Sequence, residues 1–174
     1  MRATSRAILL SAAFAAVLAG LSGCGFRPLY SKQTYDVVPE LAAIKIVSIA
    51  DRRGQELRNL LYTELNPKGI PAQPLYVLET KLNVTKQTLA IQKDERVTRA
   101  NLKVVAQYVL RSAETGKPLF HSESRSTNSF DVLVSEYANL AAEQDAERRA
   151  LKAISDDMTL RLSFYFTRRR NGEP

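Results

Sequence analysis

The spacing of apolar positions changes several times along this chain, and each change predicts an element. Leu41 to Ile49 is short, apolar and β-branched, which predicts a strand buried on both faces and central in a sheet. Asp51 then stands as a candidate N-cap. Leu57, Leu60, Leu61 and Leu65 recur at helical spacing, with Arg58 and Glu64 off that stripe, and Asn66-Pro67-Lys68-Gly69 stops the helix. From Tyr76 the period becomes two: Tyr76, Leu78, Leu82 and Val84 share one side, and Glu79, Lys81, Asn83 and Thr85 the other. Leu89 and Ile91 carry the apolar phase on odd positions, so a bulge is expected near Lys86 to Thr88. After a polar turn at Lys93-Asp94-Glu95 comes the cleanest alternation in the chain. Ala100, Leu102, Val104, Ala106, Tyr108 and Leu110 oppose Arg99, Asn101, Lys103, Gln107 and Arg111.

Glu114-Thr115-Gly116-Lys117 reads as a tight turn. Leu119 to Ser129 carries five serines and threonines among eleven residues, so it has little to bury and is expected as a half-solvated strand. Ser135 to Thr167 lacks Gly and Pro and places Tyr137, Leu140, Ala141, Leu151, Ile154, Met158, Leu162 and Tyr165 on a helical stripe. Asp145–Arg149 and Asp157–Arg161 add acid-first i,i+4 pairs, and Arg168 to Arg170 complement the helix C-terminus. The order β-α-β-β-β-α predicts an α+β fold, two helices packed on one face of a four-stranded mixed sheet.

The first residues follow a different logic. Arg2 and Arg6 precede fifteen residues, Ala7 to Leu21, without a charge, and Ser22 and Gly23 lead to Cys24. A span needs roughly 17–25 apolar residues, so this basic head, apolar run and small-residue end is read as an export signal over 1–23. Leu21-Ser22-Gly23-Cys24 resembles the bacterial lipobox, in which the cysteine becomes the acylated first residue of the mature chain. Gly25 at the next position implies, within that resemblance, the outer membrane over inner-membrane retention. Two or more chains are needed for stable anchoring, at ~0.8 kcal/mol per buried methylene. Residues 24–40 then form a lipidated cysteine and tether, and 41–170 a single domain. Cys24 is the only cysteine, so no disulfide supports the core.

Charge and chemistry narrow the function further. The formal charge of +7 loses Arg2 and Arg6 with the signal and falls to +5. A basic exported domain points to anionic lipid or lipopolysaccharide, not to nucleic acid; a charge that serves solubility alone is the other reading. A single histidine, His121, in a polar strand, no further cysteine and no phosphate-cradling glycine loop leave no catalytic constellation, no metal site and no expected cofactor.

The lipobox, the run Cys24-Gly25-Phe26-Arg27-Pro28-Leu29-Tyr30, the later Ser135-Glu136-Tyr137-Ala138-Asn139-Leu140 with Ala146-Glu147-Arg148-Arg149-Ala150, and the order of elements together resemble the LptE (RlpB) family of lipopolysaccharide-assembly lipoproteins, closest to its alphaproteobacterial members. The resemblance implies a non-enzymatic protein on the periplasmic side of the outer membrane. In that family it plugs the LptD β-barrel translocon, supports its assembly and assists lipopolysaccharide insertion. A free-standing envelope lipoprotein that tethers or scaffolds is the alternative. Lys93, Arg96 and Arg99, with Lys86 before and Lys103 after, gather around one predicted hairpin and are candidate lipopolysaccharide contacts; a solvated, charge-rich turn is the competing reading.

Overall fold

The computed structural model describes residues 38–88 and 98–172. The export signal, Cys24 and most of the tether lie outside the described residues, as do Leu89, Ile91, Lys93, Arg96 and the turn predicted there. The elements run α1 (Val38–Ala42), β1 (Ile44–Ile46), α2 (Asp51–Leu65), β2 (Tyr76–Thr88), β3 (Thr98–Ser112), β4 (Pro118–Val132) and α3 (Glu136–Arg170). One sheet has the order β1-β2-β3-β4. β1 lies parallel to β2, and β2, β3 and β4 form an antiparallel meander. This is the expected α+β fold with a mixed four-stranded sheet, with α1 added at the front.

The strand predicted at Leu41–Ile49 differs in length and place. Only Ile44–Ile46 is strand, it occupies the sheet's edge, and Lys45 between its two buried isoleucines faces out. The apolar run is not one strand, because its members serve two elements and a connection. Leu41 is buried from α1, Ile44 and Ile46 from β1, and Ile49 from the connection to α2. After Val47 N–H donates to the Leu78 carbonyl at 3.0 Å, the chain leaves the sheet to begin α2. Asp51 is not the N-cap: Ala50 holds that position without a side-chain bond, and Asp51 is the first helical residue, at φ +70°. Gly54 explains the tight entry. A Cβ there would stand 2.7 Å from Ile49 Cγ2 and 2.9 Å from the Ile49 carbonyl carbon.

Even-numbered positions of β2, β3 and β4 face the helices. Leu78, Ala100, Leu102, Val104, Ala106, Tyr108, Leu110 and Phe130 join Leu57, Leu61 and Leu65 of α2 in one core with Leu151, Ile154, Met158 and Leu162 of α3. The β2–β3 register runs unbroken to Thr88↔Ala100, so no bulge occurs at Lys86 to Thr88. The irregularity falls instead between Leu110 and Arg111, where β3 pairs with β4 next to Pro118, a residue that cannot donate to the ladder. Gly116 at φ +69° makes the preceding turn.

α3 extends for 35 residues, about 52 Å at 1.5 Å per residue. Ser135 caps it, accepting from Ala138 N–H. Its stripe is shifted from expectation at both ends. Tyr137 (83% exposed), Leu140 and Ala141 face solvent, and at the far end Phe166 is buried while Tyr165 packs partly against the core. Two polar junctions lock α3 to α2. Arg53 Nε donates to Glu147 Oε2 at 2.7 Å, with Arg52 Nη2 at 3.4 Å from Oε1, although Glu147 is almost fully buried. Further along, Glu64 accepts from Thr159 Oγ1 at 2.7 Å and Lys152 Nζ at 3.2 Å. Paired burial of this kind avoids the cost of a lone buried carboxylate.

Candidate functional site

Both helices cover the even face, so the odd face of the sheet is left open. Its composition follows from period-two alternation: Glu79 and Lys81 on β2, Arg99, Lys103, Gln107 and Arg111 on β3, His121, Glu123, Arg125, Thr127, Ser129 and Asp131 on β4. Cross-strand partners order this surface. Arg111 Nε donates to Glu79 Oε2 at 2.9 Å, Arg99 Nε to Asp131 Oδ1 at 3.2 Å, Gln107 Nε2 to Glu123 Oε2 at 3.1 Å and Ser129 Oγ to Asn101 Oδ1 at 2.7 Å. Arg125 also pairs with Glu123. The Gln107 amide and then the Arg125 guanidinium hold the Glu123 carboxyl below its usual range. Such exposed pairs contribute little to stability but fix side-chain geometry.

Among the described residues the open face, with Lys45, sets six cations (Lys45, Lys81, Arg99, Lys103, Arg111, Arg125) against three acids (Glu79, Glu123, Asp131), a formal excess of three. A hydroxyl- and amide-rich surface with excess cations can hydrogen-bond a polar wall and hold anionic groups. Beyond Ile46, the side of β2 away from β3 has no strand partner among the described residues, and neither has the far side of β4.

The hairpin cluster is only partly assembled. Lys93 and Arg96 lie outside the described residues. Arg99 is on the open face and engaged by Asp131. Lys86 is on the opposite, helix-facing side, where its Nζ sits 2.6 Å from Glu143 Oε2 and 5.4 Å from the Phe130 ring centroid. Lys86 and Arg99 therefore share an end of the sheet but not a surface, because one has even and the other odd register. Arg125 on β4 joins Lys103 and Arg99 on the open face; the alternation along β4 itself, with His121, Glu123 and Arg125 opposite Ser122, Ser124 and Ser126, is the signal that places it there. His121 is exposed on the same face.

A second polar network crosses from sheet to helix. Ser124 Oγ donates to Asp157 Oδ2 at 2.5 Å and Arg161 Nε to the same oxygen at 2.8 Å. Burial alone would raise the Asp157 carboxyl, but the Arg161 and Ser124 bonds outweigh it and hold it below its ordinary value. Burial also pushes the neighbouring Tyr108 phenol up. No group of His, Cys, Asp and Glu among the described residues has the makings of a metal site, and no helix there is long and apolar enough to cross a membrane.

Comparison with known proteins finds one relative, two structures of the same fold and one family. An uncharacterised protein of Rickettsia prowazekii (strain Madrid E) is 26% identical over 149 residues, covering 86% of this chain and 92% of its own. The crystal structure of a candidate lipoprotein from Caulobacter crescentus CB15 superposes with a TM-score of 0.63 at 22% identity, over 80% of this chain and 98% of the other. A minor lipoprotein from Acinetobacter baumannii superposes with a TM-score of 0.54 at 13% identity, over 70% and 91% of the two chains. These two likenesses establish the shared fold. The family model for lipopolysaccharide assembly, LptE, matches residues 41–162, from α1 through most of α3, and with that match across the sheet and both core helices the chain belongs to the LptE lipopolysaccharide-assembly family.

Proposed function

We propose that this chain is a non-catalytic, lipid-anchored lipoprotein of the outer membrane, on its periplasmic side, that plugs and helps assemble the LptD β-barrel and assists lipopolysaccharide insertion. The observation that carries the reading is the family match over residues 41–162, which takes in the sheet, α2 and most of α3. The open odd face supports the finer role, since the interior of an outer-membrane barrel is polar and this face offers hydroxyls, amides and charges. Cys24 is the proposed acylation site, with residues 1–23 removed, 24–40 as tether and 41–170 as the working domain. Lys93, Arg96 and Arg99 remain the proposed lipopolysaccharide contacts, the last of them beginning the open-face row that continues through Lys103 and Arg125.

Affinity isolation of the full chain from detergent-solubilised outer membranes tests this. A large β-barrel should co-purify, and Cys24→Ala should shift the chain out of the membrane fraction or leave it unprocessed. Purification of a membrane-bound chain with no barrel would favour a free-standing scaffold. For the contacts, Arg96→Glu with Arg99→Glu should weaken salt-sensitive lipopolysaccharide binding more than Arg148→Glu with Arg149→Glu. Equal weakening would reduce the attraction to net charge and remove the hairpin site.

A further inference from the structure

At the C-terminal end of α3 a groove of about 640 Å³ opens between the start of β4 and the last turns of the helix. Leu119, Phe120 and Phe164 supply an apolar lining, and Arg161, Arg168 and Arg169 stand along it. The floor is braced by rings. Phe120 stacks on Tyr165 at 5.0 Å between centroids, Tyr165 meets Phe166 edge-on at 5.2 Å, and Phe166 tilts against Tyr76 at 5.0 Å. Phe164 is nevertheless 55% exposed, a large apolar group left in water beside arginines. Arg161 is positioned by Asp157 at 2.8 Å, and Arg168 to Arg170 occupy the last helical turn, where the macrodipole favours cations.

The chain also enters the domain at this end. The Ala42 carbonyl accepts from Asn66 Nδ2 at 2.9 Å, and the Ala43 carbonyl accepts from Leu75 N–H at 3.0 Å. Leu75 adjoins Tyr76, which packs on Phe166, and is itself 61% exposed. Helix α1 is five residues long, so Val38 lies within about 6 Å along its axis of that junction. We infer that this arginine-lined aromatic groove seats an anionic phospholipid of the leaflet that holds the anchor, the acyl chain lying on Phe120 and Phe164 and the phosphate meeting Arg168 and Arg169. The inference rests on the anchored reading above, because an anchor at Cys24, fourteen residues before Val38, ties the membrane to the chain that enters here. An acidic peptide would use the cations but leave the apolar lining wet; an amphiphile uses both.

The chain has no tryptophan, so Phe164→Trp in the full chain is a unique reporter. The purified protein is mixed with phosphatidylcholine vesicles containing one-third phosphatidylglycerol, with brominated acyl chains placed either on the phosphatidylglycerol or on an equal amount of the phosphatidylcholine. Quenching should be several-fold stronger from brominated phosphatidylglycerol and should fall with salt. It should drop roughly 25-fold or more with Arg168→Glu and Arg169→Glu together, since each cation lost near an anionic surface is worth about five-fold in partition. Arg148→Glu with Arg149→Glu should leave it unchanged. Equal quenching from both lipids, or none, overturns the seat, and loss of the phosphatidylglycerol signal to stoichiometric lipopolysaccharide reassigns the groove. The mass of the mature chain reports acylation separately, and the headgroup comparison is read the same way for an acylated or an unacylated chain. Failure of the anchor or of the barrel partnership is thus told apart from failure of the seat.

Discussion

At the residue scale, single positions decide where the backbone can go. Gly54 is the sharpest case, because the space a Cβ would need is taken in part by the Ile49 backbone, which cannot rotate away as a side-chain end would. Gly54→Ala should therefore destabilise the domain by about 1–3 kcal/mol despite alanine's better helix propensity, read as a lowered thermal midpoint; an unchanged or raised midpoint would mean that the β1–α2 connection relaxes freely. Asn66 is a second case. It ends α2, and its buried side chain ties the helix end to the Ala42 carbonyl, so one residue both stops a helix and anchors the entry to the sheet. Sequence marks Asn66-Pro67 as a stop, but the bond to Ala42, 24 residues away, has no local signature.

At the element scale, periodicity was a good guide wherever an element buries one face only. β3 shows it best: its six alternating positions from Ala100 to Leu110 are all buried, and the opposing residues make the open face. The guide weakened where the partner's extent, not the element's own pattern, sets burial. Tyr137 and Leu140 continue the α3 stripe by spacing, yet among the described residues no apolar side chain of α3 before Ala142 packs against the core. Substitutions should separate the two kinds of stripe position. Ile154→Ala should cost about 2–5 kcal/mol by cavity formation, and Tyr137→Ala should stay within about 0.5 kcal/mol, both from denaturant unfolding. A large cost at Tyr137 would require packing that the described residues do not provide. The candidate site was legible to the same degree: alternation places Arg99 and Lys103 on the open face, but proximity in sequence also grouped Lys86 with them, and parity of register separates it.

At the scale of the whole molecule, local and distant contacts divide cleanly. β2 pairs with β3 and β3 with β4, each with its immediate successor, whereas α2 is held by α3 through Arg53–Glu147 and Glu64–Thr159, partners 94 and 95 residues apart. A chain ending at Leu133 keeps every strand but leaves Leu57, Leu61 and Leu65 without the α3 side of their core. It should show no cooperative thermal transition by circular dichroism; a sharp transition would mean that the sheet and α2 alone suffice. That division has a consequence in time. The chain is made from its N-terminus, and 85 residues separate Leu61 from Ala146. At 5–20 residues per second that is roughly 4–17 s, during which the leucines of α2 lack the α3 side of their core. Until the last helix arrives to close the core, the apolar side of α2 stays open on that flank.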